Sequence, residues 1–160
     1  MKTLVVGLGN PILGDDGVGW KVAEEVRAQL SEAGLDVDVE CLSLGGISLM
    51  EHLIGYSRVI LVDSFALDEP IGSILILKLD DLPNYSAYHT ASPHDTSLQT
   101  AIALGKTMGA WLPDEVMVVG IATKRIHEFS EELSPPVAEA VPLAGKFVME
   151  LIREKMNIEE

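Results

Sequence analysis

Hydrophobic positions along the chain follow two periods. "KTLVV" near the N-terminus is a short, unbroken apolar run and reads as a buried strand. From residue 16 to about residue 33 the period lengthens. Val18, Val22, Val26 and Leu30 recur at fours with Ala23 beside them, which predicts an amphipathic helix that Gly34 ends. "DVDVECLSL" alternates and predicts a second strand, and "GISLMEHLIGY" predicts a short helix. "RVILVDS" is β-branched and apolar throughout, as in a central strand covered on both faces. "GSILILKL" follows after a link too short for a helical crossover, so it is expected to run antiparallel or to sit at an edge. Residues 80–95 carry no period and form a long loop, a kind that is usually functional or mobile in compact domains. "TSLQTAIALGKTMGAW" predicts a helix, "DEVMVVGIA" a strand, and residues 137–156 a final helix entered after Pro135-Pro136.

Five strands with helices between most of them place the chain in the α/β class. The expected architecture is a three-layer αβα sandwich with a mostly parallel, mixed five-stranded sheet. The 160 residues fit a single domain, 1–160, without repeat, low-complexity tract or linker. A hydrophobic content of 48% excludes disorder.

Charge narrows the partners. Lys plus Arg number 11 against 25 Asp plus Glu, a formal net charge of −14. Such a surface repels nucleic acid and anionic membranes and suits basic partners, cationic peptides or metal ions. No apolar stretch is long enough to span a bilayer. The apolar run at the N-terminus is broken by Gly9, Asn10 and Pro11, and no small-residue cleavage site follows, so no secretory leader is expected. The single cysteine, Cys41, excludes an internal disulfide and fits a reducing compartment; a cytoplasmic protein is expected. Cys41 lies in a predicted strand without a base beside it, which points to a structural thiol.

The loop "GLGNPILGDDGVG" follows the first strand, where glycine loops usually cradle phosphate. It fails both phosphate patterns. Gly7 and Gly9 open a G-x-G-x-x-G fingerprint, but Ile12 stands where the third glycine belongs. Gly9 and Gly14 have Walker spacing, but Asp15 and Asp16 replace Lys and Ser/Thr. A nucleotide would meet like charge there. Asp16 is also a candidate N-cap for the first helix, although a cap requires one aspartate and the loop has two. Both aspartates lie just past the carboxyl end of the first strand, where open α/β sheets bind ligands.

A second carboxylate falls under the same rule. Asp63 ends the apolar run "RVILVD" and shares an edge with the first loop if the two strands are parallel neighbours. An aspartate at a strand end is otherwise a common turn or cap residue. Of four histidines, His52 lies in a helical pattern and His127 in what reads as a surface loop. His89 and His94 lie in the long loop. His94 is framed by Pro93 before it and by Asp95 or Thr96, either able to cap the following helix, which is a rigid way to present an imidazole. Two carboxylates and one imidazole, without thiolate, could take nickel, zinc, iron or manganese with positions left open.

"GLGNPILGDDGVG", "LVDSF" and "SPHDTSL", in this order and on these elements, resemble the maturation endopeptidases of nickel–iron hydrogenases. The likeness runs over nearly the whole chain and includes the Gly45-Gly46 pair and the "VVGI" strand. The resemblance implies a hydrolase that cuts a C-terminal extension from the hydrogenase large-subunit precursor after nickel insertion. By motif position it implies Asp16, Asp63 and His94 as metal ligands and as the groups that carry catalysis. Nickel would be recognised in the precursor and bound only weakly by the free protein, since few ligands limit affinity. Many members carry an aspartate directly before the Gly-Gly pair; here Leu44 stands there.

The chain has no G-x-S-x-G elbow and no H-E-x-x-H, which argues against serine and zincin chemistry. A carboxylate acting as general base, in the manner of an aspartyl protease, or a metal polarising the carbonyl, remain as routes. The expected partner is the precursor alone, met by a monomer without nucleic acid or membrane. The alternative from another class is a non-enzymatic nickel-binding assembly checkpoint or metallochaperone. Its weakness is the lack of His-rich or Cys-rich tracts.

Overall fold

In a computed structural model, residues 2–82, 85, 96–124 and 128–159 are described, with the side chains of 157–159 excepted. Strands β1 (Thr3–Leu8), β2 (Asp38–Leu42), β3 (Arg58–Phe65), β4 (Ile74–Lys78) and β5 (Glu115–Ala122) form one sheet in the order β2-β1-β3-β5-β4. β1, β2, β3 and β5 run parallel, and β4 pairs antiparallel with β5 at the edge. Both expectations for "GSILILKL" therefore hold together. The run read as a central strand is β3, the middle of the five.

Helices α1 (Val18–Ala33), α2 (Gly46–Leu53), α3 (Leu98–Thr107) and α4 (Pro135–Glu159) cover the sheet. The two-residue alternation of the strands sorts the core into two layers. Leu4, Val6, Leu8, Val59 and Leu61 pack with Leu49, Leu53, Leu98 and Ala101 of α2 and α3. Val5, Ile60 and Val62 pack with Val18, Val22, Val26, Ala144, Val148 and Ile152 of α1 and α4. Val22 and Val26 are fully buried, each worth about 1.5–3 kcal/mol of transfer free energy. Gly34 ends α1 in the left-handed conformation, φ 66°, as its position predicts.

Two capping expectations change. Asp16 does not cap α1: it sits inside a 3₁₀ turn, Gly14–Gly17, and Gly17 occupies the N-cap position without a side-chain bond. Ser97, rather than Thr96, caps α3, its hydroxyl accepting from the Thr100 amide at 3.2 Å, and Asp95, the other expected cap, lies outside the described residues. A helix whose N-cap falls one residue later leaves Asp16 outside the capping position and its carboxylate to other donors.

The chain leaves β1 through α1 to β2 on one side, and returns through α2 to β3 on the other. The switch in winding falls between the carboxyl ends of β1 and β3, the crevice where open α/β sheets place their ligands.

Candidate active site

At the end of β1 the backbone turns at Gly9, φ 149°, where a Cβ would lie 2.0 Å from the carbonyl oxygen of Asp16. Only glycine lets the strand end and the aspartate's backbone come this close. Asn10 then closes a local turn, its side-chain oxygen accepting from the Ile12 amide at 3.2 Å. The 3₁₀ turn that follows leads into α1, whose first turn rests on the sheet at Gly19, where a Cβ would meet the carbonyl oxygens of Leu8 and Val62 at 2.3 and 2.5 Å. The turn is thereby seated on β1 and β3 together.

Asp16 is buried and points into this crevice. Its Oδ2 accepts from the Asn10 amide at 3.0 Å, and its Oδ1 from the Ser64 hydroxyl at 3.1 Å. Asp63 is completely buried. Its Oδ1 accepts from the Ser64 amide at 2.8 Å and its Oδ2 from the Tyr85 hydroxyl at 2.6 Å. Strand alternation explains the division. Asp63 reaches Tyr85, which belongs to the α2/α3 layer, while Ser64, one residue on, reaches Asp16 beside α1. Tyr85 is itself set by its ring, 5.8 Å from that of Phe65. A continuous line, Asp16–Ser64–Asp63–Tyr85, crosses the carboxyl end of the sheet. An open cleft of about 450 Å³ lies at the ends of β3 and β5, lined by Ala66, Leu67, Asp68, Ile71, Thr123 and Lys124.

Buried carboxylates supplied with N–H and O–H donors are held in one orientation and can accept a proton or offer oxygen to a cation. Among the described residues no group of three or more His, Cys, Asp and Glu side chains is arranged to hold a metal ion. Asp16 and Asp63 are a pair of oxygen donors, and further donors must come from elsewhere. His94 and His89, the imidazoles expected in the site, lie outside the described residues, as does His127. His52 lies away from the site on α2, its Nδ1 3.2 Å from Glu40 Oε2.

Asp15 turns away from Asp16. Its carboxylate accepts from the amide and the hydroxyl of Ser134, both at 2.7 Å. Of the two aspartates that the sequence places past the end of the first strand, Asp16 alone points into the crevice and Asp15 faces Ser134. Cys41 is half-buried, and burial pushes its thiol up from the ordinary range against the pull of the Arg27 guanidinium. A thiol held protonated is a poor nucleophile.

The family model for hydrogenase maturation proteases matches residues 20–151. The chain belongs to the hydrogenase maturation protease family. The protease is 26% identical over 154 residues to the hydrogenase expression/formation protein HoxM of Azotobacter vinelandii, covering 95% of this chain and 72% of that protein. It is 29% identical to the crystal structure of a hydrogenase 2 maturation peptidase from a Thaumarchaeota archaeon, with TM-score 0.65 over 95% of this chain and 98% of that one. The maturating endopeptidase HybD of Escherichia coli shares the fold at TM-score 0.72 and 23% identity, over 97% of this chain and 94% of that one. Membership makes the protease a hydrolase of peptide bonds and sets aside the non-enzymatic checkpoint.

Ser64 and Tyr85 were not singled out by sequence. Ser64 carried a signal, since it directly follows the strand-end aspartate. Tyr85 carried a weaker one, since it lies in the loop flagged by its length.

Proposed function

We propose that the protease removes the C-terminal extension of a nickel–iron hydrogenase large-subunit precursor once nickel is in place, with Asp16, Asp63 and His94 gathered on the precursor's nickel and its scissile bond. One observation supports this most: in a chain of this family, two buried carboxylates share Ser64 at the switch point of the sheet. His94 is added on sequence grounds and on reach. The Leu98 amide donates to the Tyr85 carbonyl oxygen at 2.9 Å, and the Tyr85 hydroxyl touches Asp63. His94 is four residues from Leu98, about 13–14 Å of extended chain at most.

In this reading nickel belongs to the substrate. The chain's own groups orient that substrate: Asp16 and Asp63 offer oxygen to the cation, and one of them takes the proton from the attacking water. Ser64 keeps both carboxylates in register, and the Tyr85 hydroxyl fixes the outer oxygen of Asp63. The open cleft has room for a peptide running past β3 and β5. Weak nickel binding by the free protein, aspartyl-protease-like chemistry, a monomeric state and a cytoplasmic location complete the proposal. The charge of −14 and the lone cysteine support the last of these, and no described helix is long and apolar enough to cross a membrane.

The test is to incubate the protein with nickel-loaded and with metal-free precursor and to detect the released C-terminal peptide by mass spectrometry. Cutting of the loaded form alone is expected. Equal cutting of both, with a chelator present, removes nickel from the reading, and cutting of neither overturns the function.

A further inference from the structure

We propose that Asp15 is a positioning residue: it clamps the turn that carries Asp16 onto the start of α4, and so sets where the Asp16 carboxylate stands. Both Asp15 oxygens are taken by Ser134, 119 positions away, from the amide at 2.7 Å and from the hydroxyl at 2.7 Å. Ser134 is the residue from which α4 starts, its carbonyl oxygen accepting from the Ala138 amide at 2.8 Å. Pro135 and Pro136 follow it and have no N–H, so the Ser134 amide is the last backbone donor before the helix turns. Negative charge at that end is also favourable to the helix dipole.

The backbone repeats the attachment. The Ser130 amide donates to the Ile12 carbonyl oxygen at 2.9 Å, and the Gly14 amide to that of Ser130 at 2.8 Å. Leu13 and Ser130 thus pair as a parallel bridge beside the turn. On the other side of the same turn Asp16 is held by Asn10 and Ser64. Adjacent aspartates in a four-residue turn pull on opposite partners, so the turn cannot rotate without breaking one set of bonds. Loss of the Asp15 clamp leaves the two backbone bonds to Ser130, which fix residues 12–14 but do not grip the residue next to Asp16. A carboxylate that must meet a reacting bond loses rate steeply with such a shift.

This inference rests on the reading that Asp16 acts in precursor cleavage, and the experiment separates the two. Asp15→Ala, Asp15→Asn, Ser134→Ala and the Asp15→Ala/Ser134→Ala pair are compared with wild type for kcat, KM and thermal midpoint. The Asp15→Ala change is expected to lower kcat about 10- to 100-fold with KM within about threefold. The double variant should be no worse than Asp15→Ala alone, since both changes remove one contact. The Asp15→Asn variant should recover most of the rate, because its amide still accepts from the Ser134 amide. In parallel, a crystal structure of the Asp15→Ala variant should show the Asp16 carboxylate displaced from the Ser64 hydroxyl. A lowered thermal midpoint with unchanged kcat, multiplicative losses in the double variant, or an unmoved Asp16 would each overturn the positioning role. Failure of wild type to cut the precursor would instead fall on the proposed function, and the structure of the variant would still decide the clamp.

Discussion

Strand β3 begins on a buried charged residue and carries another, Asp63, two residues before its end, and the two regions are built differently. At its start, Arg58 is 3% exposed and its Nε donates to Glu115 Oε2 at 3.0 Å, in register across the β3–β5 ladder. Its Nη1 donates to the Leu151 carbonyl oxygen of α4, and Lys155 adds a second cation 3.5 Å from Glu115. Charge meets opposite charge there, and the result ties strand to helix. Near its end, Asp63 is met by an amide and a phenol, and Asp16 by an amide and a hydroxyl. These N–H and O–H donors hold each carboxylate in one orientation. The first end ties strand to helix, and the second gathers two buried carboxylates around one serine.

The sharpest way to break this comparison is at the second end. Asp63→Asn keeps the size and can still accept from the Ser64 amide, so the fold should survive. Precursor cleavage should fall by about 10²–10⁴-fold, the range a general acid–base group supplies, with the thermal midpoint close to that of wild type. A variant that cuts normally would make Asp63 a structural residue like Arg58.

The first end should answer in the opposite currency. Arg58→Met removes the side-chain donor to the Leu151 carbonyl oxygen and one partner of Glu115, and is expected to cost about 1–3 kcal/mol in denaturant unfolding. Cleavage per folded molecule should stay within about twofold of wild type. A large loss of kcat with unchanged stability would show that the two ends are not separate.

The smallest effect is expected off β3. Cys41 sits in β2 with its thiol pushed up by burial, so at neutral pH it is protonated and slow to alkylate. Iodoacetamide treatment and Cys41→Ser should leave cleavage unchanged, and reactivity should appear only as pH rises above the ordinary thiol range. Rapid inactivation at pH 7 would bring the thiol into the mechanism.

Several of these features are legible along the chain because they depend on neighbours in sequence. The run "RVILVD" announces a covered strand and the carboxylate that ends it. The failed Walker pattern singles out Asp15 and Asp16 together by what it lacks. Other features are hidden because their partners are remote. Nothing near Asp15 points to Ser134, and the two aspartates of "GDDG" look equivalent until the turn sends them apart. Asp16 also reads as an N-cap, because aspartate suits that position; the 3₁₀ turn moves the helix start beyond it. In α4, Pro142 removes one ladder donor, yet the helix continues, because Ala144, Val148 and Ile152 bury its face against α1 and the sheet.

By itself, then, the sequence determined the α/β class, the mixed sheet, the strand-end carboxylates and the family likeness, all written in short-range periods and motifs. Strand order, with β1 beside β3, came only from tertiary structure, and so did the choice of Asp16 over Asp15 as the inward carboxylate. The sharing of Ser64 between Asp16 and Asp63 also belongs there. The reason is physical. Periodicity records which face a residue buries, but a hydrogen bond across 48 or 119 residues exists only after the loops between have closed and the strands have taken their places.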